Sequence, residues 1–500
     1  MPILPYETRK AASGYDSTNE VSLLPPNRAV LIRNFVFDRA GKLRGSLSHT
    51  FVENFPAGVD GMFHYQGNEA EDDRLLVVSG GVLYASPLDN ISFMAVDSGF
   101  LTGAQVRAAA FDDELFFAQE GGITPLRFNG ESLFQLGIDA PAAAPTAIAG
   151  TPANSAAAKK IGNISYRYRF FDEKFRESEP SPSVTVAFGS PATLAGQITL
   201  FSSWADVDPQ VQGAYLEATV SGASVYYRIA TLERSEGEVF YEDNALDTIV
   251  QGGTVSTKIG RRSVPNKASC ICSHKNYLWM NDTESPRQLQ ISSLNAPTYF
   301  STITEIPASD GGRMTIPGAR GGNPIVQLAQ FGSLLMVWLK KGVVQIWGET
   351  LASFKPRELH VRGTVAPGSA IRVDNGLWFL LDASIYNLDY QGTFLSNKVS
   401  QETDADLRAH TIAERRDALA TFAGNRYCLS VGDTLYVYDF TAQGWGQVRI
   451  DTSVAALAEN AGLYAAAAQA ETKASGTGGR GSGGGLVGQA DATVTNPVPV

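Results

Sequence analysis

Residues 325 to 348 read IVQLAQFGSLLMVWLKKGVVQIWG, and this stretch decides the fold. Three apolar runs are separated by Phe331-Gly332-Ser333 and by Lys340-Lys341-Gly342. Glycine and small polar residues at such breaks supply the positive φ or the side-chain turn bonds that tight hairpins need. Links of two to four residues force an antiparallel sense, because a parallel crossover takes about a dozen residues or more. The run LLMVWL lacks polar alternation, so both of its faces are expected to be covered.

The same grammar recurs along the chain. AIRVDNGLWFLLDASIYNLDYQG (370 to 392) breaks at Asp374-Asn375-Gly376 and Asp382-Ala383-Ser384. LATFAGNRYCLSVGDTLYVYDF (419 to 440) breaks at Ala423-Gly424-Asn425 and Val431-Gly432-Asp433. The first breaks fall near 332, 375 and 424, a period that suits antiparallel propeller blades of roughly 40 to 50 residues. Weaker copies lie at 74 to 86, 107 to 130, 268 to 282 and 454 to 468. Stacked blades cover both faces of each sheet, whereas a two-sheet sandwich would alternate more cleanly.

Residues 141 to 261 differ in character. APAAAPTAIAGTPANSAAAKK reads as a linker too poor in large apolar groups to form core. ISYRYRFFDEKFRESEPSPSVTV, VYYRIAT and EVFYEDN then alternate aromatic with charged residues, the mark of a half-exposed antiparallel sheet. The expected organisation is an extended arm (1–27), a first propeller part (28–149), an inserted β-sandwich (150–261) and the propeller remainder (262–500). The propeller residues suffice for seven to nine blades at roughly 40 to 50 residues each, and seven is the expectation. The Gly-rich stretch ETKASGTGGRGSGGG (471 to 485) reads as a long mobile loop before a closing strand, GLVGQADATV.

Composition bounds the function. With 44% apolar, 10% aromatic and 18% charged residues the chain can bury a core, which excludes global disorder. The longest apolar run, Leu334 to Leu339, is far short of the roughly 20 residues of a membrane-crossing helix. The opening MPILPYETRK lacks the pattern of an export signal, so synthesis and retention in a cytoplasm are expected. Forty basic against fifty-one acidic residues leave −11, against a protein whose main task is gripping nucleic acid. The basic pairs Lys159-Lys160, Arg261-Arg262, Lys340-Lys341 and Arg415-Arg416 read as solvated turns or linkers.

The search for chemistry returns no catalytic, cofactor or metal residues. Cys270 and Cys272 would share one strand face, but with Cys428 distant and five scattered histidines they read as small buried hydrophobes, not zinc ligands. No H-E-x-x-H, G-x-S-x-G or G-x-x-x-x-G-K-[ST] occurs. Ser309-Asp310-Gly311-Gly312 lacks the spacing and aromatic of a sialidase-type turn and reads as a Gly-rich loop. His49, His64, His274, His360 and His410 lie apart. Glu71-Asp72-Asp73 and Asp112-Asp113 sit in turns, where solvation explains them, although distant carboxylates can converge as a glycosidase pair. Ser400 to Phe422 is the only plausible helix or helix-turn, read as an inter-blade connection with a charged, solvated face.

Taken in order, NFVFDRAGKLRGSLSHTF, YRYRFFDEKFRESEPSPSVTV, ASCICSHKNYLWMND, SPRQLQISSLNAPTYF, LLMVWLKKGVVQIWG and VAPGSAIRVDNGLWFLLDASIYNLD resemble the tail-nozzle or tail-tubular proteins of short-tailed bacteriophages, also called packaged-DNA stabilisation proteins. The resemblance covers about 28 to 468. It implies a non-enzymatic virion tail protein with a fibronectin-like insert, made in the host bacterial cytoplasm and assembled as a homo-hexameric ring. Its implied partners are tail adaptor, fibre or needle proteins and the genomic DNA that passes without sequence-specific binding; no small-molecule substrate or cofactor is implied. An acidic lumen would let DNA slide, since phosphate contacts to basic residues add affinity. A carbohydrate-binding or glycoside-hydrolase propeller and a cellular interaction scaffold are the alternatives.

Overall fold

The computed structural model describes 35–37, 43–45 and 50–489, apart from 89–90, 154–159, 190–193, 258, 303–310, 360–365, 374–375, 389–396, 424, 442, 450–453, 461 and 468–483. The expected arm (1–27) and most of the Gly-rich stretch lie outside the described residues. The chain forms two compact units, one of 1–133, 266–289 and 314–500, the other of 134–265 and 290–313.

The first unit carries the seven innermost strands of a β-propeller. The innermost strands, in chain order, are Val59–Tyr65, Val106–Phe111, Ile271–His274, Ile325–Phe331, Ile371–Val373, Leu419–Ala423 and Val454–Asn460. Each neighbours the next, and the last neighbours the first, so the ring closes. Around them stand antiparallel sheets such as Ile325–Phe331, Leu334–Leu339, Gly342–Trp347 and Lys355–Leu359 in that order. The seventh blade is composite: Val454–Asn460, Gly462–Ala467, Gly484–Gln489 and, outermost, Thr50–Phe55 from the other end of the chain. Leu463 opposes Gln489, and Phe51 opposes Val487. A strand follows the Gly-rich stretch and joins the two ends of the propeller.

Stacking explains the unbroken apolar runs. In Gly376–Leu381, Leu377, Phe379 and Leu381 pack with Met336 and Trp338 of the preceding blade. Trp378 and Leu380 of the same strand point the other way, into Tyr427, Leu429 and Trp445 of the next. In Arg74–Ser79, Leu76 and Val78 face the second blade while Leu75 and Val77 pack with Phe55 of the seventh. Each fully buried Leu or Phe is worth about 1.5–3 kcal/mol, and a strand clad on both faces collects that term at every position.

Turn chemistry matches the sequence at Gly80-Gly81 and at Lys275-Asn276, where both residues have positive φ, the signature of a two-residue type I′ hairpin. It differs at Gly376, which opens a strand and does not need left-handed backbone. Space favours glycine there, since a Cβ would lie 2.2 Å from Asn387 Oδ1 and that side chain would have to shift. Residues 400–422 hold two short helices, Asp404–Ala409 and Ile412–Arg416, before the sixth blade begins at Leu419. A third, Asp247–Gln251, lies in the second unit, where no helix was expected.

The second unit is a three-on-four sandwich, ordered Thr146–Gly150, Ala195–Thr199, Phe240–Asp243 in one sheet and Val184–Phe188, Gly162–Asp172, Val211–Thr219, Tyr226–Glu233 in the other. Its core holds Ile164, Tyr166, Tyr168, Ile198, Trp204 and Leu216. The unit begins earlier than the expected 150, because TAIAG of the supposed linker pairs residue for residue with Ala195–Thr199. Backbone pairing, not large side chains, recruits that strand.

Two further corrections follow from burial in this unit. The charged face of YRYRFF is not half-exposed: Arg167 and Arg169 are buried, both held by Glu217, at 2.7 and 3.0 Å. The segments around Ser178 and Ser256–Thr257 cover them, with Arg169 donating to the Ser178 and Thr257 carbonyls. Two basic residues read as solvated are also engaged. Lys160 is buried 2.8 Å from Asp243, and Arg262 pairs with Glu177 at 2.9 Å and donates to the Tyr299 hydroxyl. Both were misread because their acidic partners are remote in sequence.

Candidate functional site

A cavity of about 190 Å³ opens among the innermost strands of the propeller. Its wall carries Asp60 and Gly61 from the first blade, Gln105 and Arg107 from the second, Gln327 from the fourth, and Gly368 and Leu419 beside the sixth. Two β-bulges shape it. Val59 opposes Ser79 and Gly61 opposes Val78, so Asp60 is an extra residue in its strand. Ile325 opposes Leu339 and Gln327 opposes Trp338, which makes Val326 the extra residue of the fourth blade. A bulge leaves its extra residue unpaired in the ladder and bends the strand.

Each bulge leaves a polar group to be met. The Val326 carbonyl accepts from Arg107 Nη1, which also donates to Gln327 Oε1 at 2.5 Å, and Arg107 Nη2 donates to Gln105 Oε1 at 3.3 Å. One guanidinium thereby braces the second blade against the fourth. Burial pulls the Arg107 pKa down, while neighbouring Cys270 and Glu120 oppose that shift. Asp60 is only 7% exposed; the Gly103 N–H hydrogen-bonds its carboxyl, and Oδ2 has no partner. Burial raises its pKa to about 6, the Gly103 contact opposing. Gly61 and Gly368 bring the walls close: a Cβ on Gly61 would lie 2.9 Å from Val106 Cβ, and one on Gly368 2.5 Å from Leu419.

The residues singled out in the sequence lie elsewhere or serve structure. Cys270 is buried and Cys272 half-buried, and burial pushes their thiols up to about 11 and about 12, far from reactive thiolates. His274 is buried with neither ring nitrogen bonded; burial chiefly, with Lys275 adding, lowers it to about 4. His64 sits 3.5 Å from Asp73, whose carboxylate accepts from the Gly67 N–H. His410 bonds the buried Tyr436 hydroxyl at 3.0 Å and ties the short helices to the sixth blade. Asp112 turns a hairpin with φ 52°, and the Asp113 carbonyl accepts from Tyr65. His49, His360, Ser309 and Asp310 are outside the described residues. Among the described residues, no group of three or more His, Cys, Asp or Glu is placed to hold a metal ion.

Sequence reading did not pick out Asp60, Gln105, Arg107 or Gln327. The available signal was a charge inside a strand of small and apolar residues: VDGM for Asp60 and VRAAA for Arg107.

No family model matches the chain, and no curated protein matches it. Solved structures similar to it include a chain of a mitotic checkpoint complex crystal structure, 9% identical over 88% of this chain and 92% of that one, with a TM-score of 0.34. YCF48 bound to D1 peptide is 10% identical over 94% and 100%, TM-score 0.34. YCF48 from Cyanidioschyzon merolae is 8% identical over 89% and 98%, TM-score 0.29.

Proposed function

We propose that the chain is a non-enzymatic structural subunit of a short-tailed phage virion, a tail-nozzle protein working as one of several copies, six by the resemblance, in a ring that conducts and retains the genome. The observation that carries this reading beyond the resemblance is mechanical. The propeller is sealed by pairing Thr50–Phe55 with Gly484–Gln489, and the sandwich is cross-braced by the buried Arg167–Glu217–Arg169 cluster. Both units suit a part that bears load. A cavity of about 190 Å³ braced by Arg107 is too small to take a duplex, whose major groove alone is about 12 Å wide. On this reading the conduit is enclosed by several copies and not by one propeller.

Neighbours need surfaces to meet. The sandwich exposes Ile249 at 64% and Val255 at 61%. Val255 bridges to Tyr227, and the Asp247–Gln251 helix packs on the same strand, Tyr226–Glu233. Native mass spectrometry and negative-stain images of the purified protein should show rings, and purified virions should contain it. Ile249→Asp with Val255→Asp should shift rings to monomers while leaving the far-ultraviolet circular dichroism unchanged. A chain that stays monomeric at every concentration and is missing from virions ends this reading and favours the cellular scaffold.

A further inference from the structure

The axial cavity holds two opposite charges that do not satisfy each other. Asp60 and Arg107 both line it, yet the carboxyl is met by Gly103, and the guanidinium by Val326, Gln327 and Gln105. Asp60 Oδ2 has no hydrogen-bond partner. Arginine carries five N–H donors; three are engaged in those bonds, which leaves Nε–H and one Nη2 hydrogen. Buried charge without a partner is expensive, and one of the two residues is on a bulge, a device that re-aims side chains beside functional sites. Gln105 and Gln327 turn their oxygens to Arg107, so their amide NH₂ groups are spare donors.

Size narrows the occupant. At about 30 Å³ per water, the volume corresponds to about six waters, well under the roughly 300 Å³ at which drug-sized pockets begin. A carboxyl acceptor, guanidinium and amide donors, and apolar Met62, Phe63 and Leu419 in the lining suit a small molecule with an ammonium, a carboxylate and little else.

We propose that the axial cavity is a binding site for a small zwitterion of the free α-amino acid class, its ammonium hydrogen-bonded to Asp60 and its carboxylate to the spare N–H groups of Arg107. The ligand bridges the first and second blades, so its role is to stiffen the ring and not to react. This site is independent of the nozzle reading and stands or falls separately from it.

Isothermal titration and thermal unfolding of the full chain test it, with glycine, L-alanine and L-serine as probes at about 5 mM, where a ligand of about 1 mM affinity raises stability measurably. Methylammonium and acetate, singly and mixed, are the half-ligand controls, and glycine betaine is a zwitterion without an N–H. The expected result is binding of at least one amino acid at one per chain, no comparable binding of betaine or of the half-ligands, and a loss of tenfold or more in Asp60→Asn, which keeps shape but removes the charge. No binding by any probe, which leaves water as the only occupant, overturns the proposal. So does equal binding by Asp60→Asn or by methylammonium alone.

Discussion

Asp60 and His274 should give the propeller opposed responses to acid that substitutions can separate. His274 is buried and its folded pKa is about 4 against a usual 6.5. As pH falls through 6.5 the unfolded chain takes up the proton first, so this residue removes stability between about 6.5 and 4, and no more below that. At 1.36 kcal/mol for each pH unit separating the two values, the loss is about 3 kcal/mol. Asp60 works the other way: its folded pKa is about 6 against 3.8, so the folded chain takes up the proton first. Stability rises as pH falls from about 6 to 3.8, again by about 3 kcal/mol at most for a carboxyl lining an open cavity. In the unaltered protein the two nearly cancel between pH 6 and 4. Asp60→Asn removes the compensating gain, so between about pH 7 and 4.5 it should lose up to about 2 kcal/mol more than the parent. His274→Leu, apolar where neither nitrogen had a partner, should lose about 2–3 kcal/mol less. Urea unfolding followed by the fluorescence of Trp279, whose indole N–H donates to the His274 carbonyl, reads both. If the two variants run parallel to the parent across that range, the buried-charge account of both residues is wrong.

Three other outcomes follow from packing. Glu217→Ala strands two buried guanidinium groups and should destabilise the sandwich by about 3–5 kcal/mol, seen as a separate low-temperature transition in calorimetry; an unchanged transition refutes the bracing role. Gly376→Ala should destabilise the fifth blade by about 1–2 kcal/mol through overpacking on Asn387. Adding Asn387→Ala should restore most of that loss, and strict additivity in the double-mutant cycle would exclude the steric explanation. Leu486→Pro interrupts the strand paired with Phe51–Phe55 and Leu463–Ala466 and removes an amide donor. It should lower the propeller's melting temperature, whereas deletion of 475–483, short of that strand, should not.

What the sequence disclosed and what it hid divide along one physical line. Local pattern carried the propeller: hairpins need Gly, Asn or Asp at fixed offsets, and stacking between blades erases polar alternation, so GLWFLL could be read as a strand clad on both faces before Leu377 and Trp378 were seen to point to different neighbours. Everything that depends on a remote partner was illegible. Arg167 and Lys160 looked like solvent residues because Glu217 and Asp243 lie 50 and 83 positions away. The axial cavity was hidden for the same reason, since Arg107 meets Val326 across 219 residues. A β-bulge adds one residue to a strand without a compositional mark, so neither Asp60 nor Val326 announced itself. Yet at the bulges the ladder is locally broken, which leaves a backbone or side-chain polar group to be met in another way. The irregularities at Val59–Gly61 and Ile325–Gln327 line the cavity among the innermost strands, where the proposed ligand site falls.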